Sequence, residues 1–127
     1  MMTHIIRQGD ILVVRVAALP PDVTRRPTSN GQVVLAYGEA TGHAHTVRGD
    51  VVHYDAPNAA EAARQLLAAV GLHVELGEAA AASFLTVGTA TEIEHPEHAP
   101  GPLVEGYHVV IRQREWSDAN EPIQVTD

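Results

Sequence analysis

Gly9-Asp10-Ile11-Leu12-Val13-Val14-Arg15-Val16 decides the fold class. The run is dominated by branched aliphatic residues, opens on two turn formers and is too short for a buried helix, so it reads as a β-strand. The same pattern recurs downstream. Gln32–Tyr37 reads as a second strand, ended by Gly38, and Gly38–Val47 as a glycine-punctuated approach to a short third. Arg48-Gly49-Asp50 reads as a hairpin turn that returns the chain as a strand over Val51–Tyr54. Further strands are expected at Leu72–Leu76, Ser83–Val87, Thr89–Glu94 and Gly106–Trp116. Leu19–Gly31, which holds Pro20, Pro21 and Pro27, reads as a loop.

One segment breaks the β pattern. Ala59, Ala62, Ala63, Leu66 and Val70 recur at helical spacing, with Glu61, Arg64 and Gln65 on the other side. Asn58 and Glu61 are expected to cap this helix over 59–70, and Gly71 to stop it. The sum is a mainly β, single domain over 1–127: a small antiparallel barrel or jelly-roll-like sandwich of about eight short strands with one inserted helix. Residues 117–127 form a polar tail expected to fray.

Composition narrows the function. The chain has 127 residues, 45% of them hydrophobic and only 19% charged, which describes a folded domain with one core. Sixteen acidic against eight basic residues give a formal charge of −8, the wrong sign for neutralising nucleic-acid phosphates or an anionic membrane surface. No apolar run reaches the length of a membrane span, no secretory h-region is visible, and a cytoplasmic location is expected. Cysteine is absent, which excludes disulfides, thiolate metal centres and thiol nucleophiles. No serine sits in a nucleophile elbow, and no phosphate loop is present.

Eight histidines stand out in so short a chain. His43 and His45 are one residue apart, so on a strand both imidazoles share a face. His95 and His98 flank Pro96-Glu97 and precede Pro100-Gly101-Pro102, a proline-braced loop suited to holding two more imidazoles. Asp50 and Glu94 are the expected carboxylate ligands or their hydrogen-bonding partners, with Glu39 and Glu97 nearby. Imidazole with carboxylate and no thiolate suits a divalent transition metal such as zinc, iron, nickel or manganese. His108 on the last strand is a further candidate for the same cavity. Arg112, Arg114 and Trp116 alternate on one face, where two guanidiniums beside an indole can grip an anionic ligand or pair with the protein's own carboxylates. His4, His53 and His73 lack a partner pattern and read as surface or hydrogen-bonded residues.

Three strings carry a resemblance: Gly38-Glu39-Ala40-Thr41-Gly42-His43-Ala44-His45, Glu94-His95-Pro96-Glu97-His98, and Gln113-Arg114-Glu115-Trp116. Together they resemble a small bacterial and phage-associated family with no established function, over Gly9 to Trp116. Gly38, His43 and His45, followed by Asp50 in the place of a glutamate, also resemble part of the first cupin motif. That likeness implies a metal-bearing β-barrel. In this sequence His95 and His98 precede the Pro-Gly turn, whereas a cupin histidine follows it.

The reading that follows is a small metal-binding β domain using His43, His45, His95 and His98, with metal-assisted hydrolysis or oxidation of a small molecule as its chemistry. The alternative is a non-enzymatic interaction or homo-oligomerisation module whose histidines are structural or pH-sensing.

Overall fold

The computed structural model describes residues 4–28, 31–37, 44–77 and 80–113. His43, Arg114 and Trp116, the Gly38–Gly42 approach and the 117–127 tail lie outside them. Among the described residues, two antiparallel sheets form a sandwich-like arrangement. The larger contains β1 (Ile5–Gln8), β2 (Ile11–Val16), β3 (Thr24–Arg25), β6 (Val51–Asp55), β7 (Ala81–Val87) and β10 (Gly106–Arg112), in the order β1-β2-β10-β7-β6-β3. The smaller runs β4 (Gln32–Tyr37), β5 (Ala44–Arg48), β8 (Thr91–His95), β9 (His98–Leu103). Both sheets are open, so the expected barrel is not formed and the sandwich alternative is the one observed.

Two cores explain why the central strands are continuously apolar. Ile11 and Val13 of β2, Leu85 and Val87 of β7, and Val110 of β10 meet Val33, Leu35, Val47, Ile93 and Leu103 between the sheets. Leu12, Val14 and Val16, with Phe84, Val109 and Ile111, pack on the opposite face beneath helix α1 (Ala59–Ala69) through Ala63 and Leu67. Strands buried on both faces lose the polar alternation of a half-exposed sheet.

The structure corrects several local expectations. Leu72–Leu76 is not a strand. Its alternation serves packing, because Val74 is buried and Leu72 and Leu76 lie against the helix-side core without joining a ladder. Asn58 precedes α1 in a left-handed conformation (φ 49°) and makes no side-chain cap, while Glu61 pairs with Arg64 at 2.9 Å and accepts from Gln65. Three edge strands were not expected: β1, β9 and the two-residue β3, which pairs with β6 from within the stretch read as a loop. β1 pairs with β2 in register Ile5↔Val14 to Gln8↔Ile11. β9 carries Pro100 and Pro102, which an edge strand tolerates because one side of it has no ladder to complete. Where β1 and β9 meet, Gly101 is buried so closely that a Cβ would lie 2.7 Å from Ile6 Cγ2. The sheets therefore close together along β1 and β9, and that seam positions the site.

Candidate functional site: an imidazole cluster beside Asp10

His45 is on the inward face of β5, in the parity of the core residue Val47, and is 1% exposed. Its ring centroid lies 4.3 Å from that of His95 and 6.1 Å from that of His98, and the latter two are 4.5 Å apart. A register irregularity between Ile93 and His95 falls where β8 turns into β9, and His95 stands opposite His98 there. Thus three of the four histidines singled out in the sequence meet in the folded chain.

The surroundings fix the proton on His45. Gln8, buried on β1, donates through Nε2 to the carbonyls of Ile93 (3.1 Å) and Ala99 (2.9 Å). Its amide oxygen therefore faces His45 Nδ1, 2.8 Å away, because reversing the amide would oppose oxygen to two carbonyl oxygens. Nδ1 must be the donor. In the neutral ring Nε2 then carries a lone pair, and it faces Asp10 Oδ1 at 3.2 Å. Burial, then the neighbouring His95, lower the His45 pKa from 6.5 to about 4 against the opposing pull of Asp10, so the neutral ring dominates at pH 7. Nε2 and Asp10 Oδ1 thus face one another at a distance that a shared proton or a bound cation can bridge.

Asp10 is itself held from the other side. Arg112 Nε at the end of β10 donates to Asp10 Oδ2 at 3.0 Å, and the backbone N–H of Gln113 donates to the Asp10 carbonyl. Gly9 makes the turn that delivers this carboxylate. Its φ of +59° suits glycine, and a Cβ there would fall 2.9 Å from His98 Nε2 and 3.3 Å from His45 Cε1.

The remaining candidates go elsewhere. Asp50 sits in the β5–β6 turn, at the far end of β5 from His45, where its carbonyl accepts from Gly88. Glu94 is exposed, with its carboxylate 3.7 Å from Arg48 Nε. His108 is fully buried, in the cross-strand row of Arg15 and Leu85, four positions along β10 from Arg112. His95 Nδ1 accepts the backbone N–H of Glu97 at 3.0 Å, so its neutral ring carries the proton on Nε2. Among the described residues, no three His, Asp or Glu side chains already converge as a group able to hold a metal ion.

A family model described as a domain of unknown function, DUF8820, matches residues 7–113. The chain belongs to the DUF8820 family. That match runs from within β1 to the end of β10 and takes in Gln8, Asp10, His45, His95, His98 and Arg112, so every residue of the cluster is within the DUF8820 domain. No curated protein and no solved structure matches the chain.

Proposed function

We propose that this DUF8820 protein binds one divalent transition metal ion at His45 Nε2 and Asp10, with His98 as the third donor. The observation that carries the reading is the approach of His45 Nε2 to Asp10 Oδ1 at 3.2 Å while Gln8 occupies Nδ1. A histidine whose other nitrogen donates to an oxygen acceptor is the arrangement found at metal-ligating imidazoles, and the acceptor raises the basicity of the ligating nitrogen. His98 is exposed, so turning its ring toward the ion costs only rotamer freedom. His95 serves as a hydrogen-bond donor beside the ion rather than as a ligand, because its Nδ1 is engaged by Glu97. Two imidazoles and a carboxylate select zinc, iron, nickel or manganese and leave a coordination position for water or a small molecule. Metal-assisted hydrolysis or oxidation is the chemistry such a position supports.

Calorimetric titration of chelator-stripped, tag-free protein with zinc tests this. One saturable site is expected, abolished in His45→Ala and weakened in Asp10→Asn and His98→Ala. Wild-type protein that takes up no zinc overturns the reading, and the cluster is then a structural element of an interaction module.

A further inference from the structure

Arg112 faces a second cavity whose chemistry is the reverse of the imidazole cluster. About 230 Å³ of space lies between the sheets, bounded by Arg26, Leu35, Ala36, Ser83, Val110 and Arg112. Arg112 spends Nε on Asp10, yet its Nη2 is buried with no hydrogen-bond partner. That nitrogen has no surface open to the cavity, so Arg112 can meet a ligand there only through the rest of its guanidinium. Arg26 brings a second guanidinium to the same cavity, placed by its pairing with Asp55 and by Nη1 lying 3.4 Å from His53 Nε2. The Ser83 hydroxyl is engaged by His53, because Nε2 faces an arginine that can only donate and so accepts from Ser83 Oγ at 2.7 Å.

We infer that this cavity is a binding site for a small aliphatic carboxylate, its carboxylate on Arg112 and Arg26 and its alkyl end on Leu35, Ala36 and Val110. The charge follows from two guanidiniums lining one space in a chain whose formal charge, these two included, is −8. The planar fork of arginine matches a carboxylate. The volume lies below the range of drug-sized pockets, and apart from Ser83 the described walls beyond the arginines are apolar, which sets the ligand at a few carbon atoms. Inorganic phosphate would press a doubly charged tetrahedral group against those walls with fewer donors than it needs. The site stands apart from the metal reading, although Asp10 and Arg112 connect the two.

Amide and arginine Nε–H spectra of chelator-stripped, isotope-labelled protein are to be recorded during titration with butyrate at constant ionic strength, with chloride as reference. Saturable shifts at Ser83, Val110 and Arg112 are expected, with affinity reduced about tenfold or more in Arg112→Gln and in Arg26→Gln. Each variant is judged on a spectrum that retains the wild-type dispersion, so loss of fold in one leaves the other to decide. Non-saturating shifts, equal shifts with chloride, or unchanged affinity in a folded variant overturn the inference. Saturation by phosphate but not by butyrate overturns the carboxylate class. Because no metal is present, failure here leaves the zinc titration untouched.

Discussion

Gln8 and His45 meet at 2.8 Å from strands in different sheets, and the glutamine that orients the imidazole also ties β1 to the carbonyls of Ile93 and Ala99. One buried amide therefore joins the edge of the larger sheet to the smaller sheet and sets which nitrogen of His45 is bare. Structure and chemistry share the same three hydrogen bonds.

Gln8→Ala is expected to act on both. Two carbonyls and Nδ1 lose their partner, the Ala99 carbonyl in a partly buried setting and the other two groups in a buried one, which costs about 1–3 kcal/mol in urea denaturation. Zinc affinity is expected to fall about 10- to 100-fold, since the ring is no longer held. Stability and affinity both equal to wild type would show that the amide does neither job.

Gly9→Ala tests how tightly the turn fits the rings. The backbone is left-handed there, and the new Cβ would have to displace His98 Nε2 from 2.9 Å. A loss of about 1–2 kcal/mol is expected, together with shifted His45 and His98 ring signals. An unshifted histidine spectrum would contradict the close approach.

Acid should destabilise the fold through two histidines remote from the cluster. His53, buried beside Arg26 and Asp55, and His108, buried beside His4 and Arg15, both have pKa values lowered from 6.5 to about 4, with burial the main cause. The unfolded chain therefore binds more protons than the native one between these values. The stabilisation is fully present above pH 6.5 and is lost as pH falls toward 4, by up to about 3 kcal/mol for each residue. His108→Leu should flatten this dependence in denaturation measured from pH 7 to 4.5, because it removes one of the buried titrating rings. An equally steep profile in the variant would refute the assignment.

Helix α1 covers the second core chiefly through Leu67, which is fully buried. Leu67→Ala should cost about 2–5 kcal/mol, whereas Gln65→Ala on the exposed side should change stability by no more than about 0.5 kcal/mol. Thermal and urea unfolding distinguish the two, and similar losses in both would mean that the helix is not docked on that face.

The most legible strands are those with two buried faces. Ile11–Val14 and Val109–Ile111 are continuous apolar runs because each face meets a separate core. β1 and β9 were hidden for the opposite reason. As edge strands they accept Arg7, Gln8, Pro100 and Pro102, residues that weaken any local strand signal. Spacing along the chain suffices to single out His45, His95 and His98, since each lies on or beside a strand end that brings it to the seam. It does not find the carboxylate. Proximity in sequence favours Asp50 and Glu94, but one lies at the far end of β5 and the other pairs with Arg48, while Asp10 arrives through the β1–β2 turn. The Gly9-Asp10 turn formers that open the Ile11–Val16 run were the available signal for it.

The most direct measurement is elemental analysis of protein expressed without a histidine tag and purified without chelator, compared with the His45→Ala variant prepared alongside. Approximately one equivalent of a single transition metal per wild-type chain, and none in the variant, is the predicted result. Equal metal content in the two proteins, or none in either, would contradict an ion seated between His45 and Asp10.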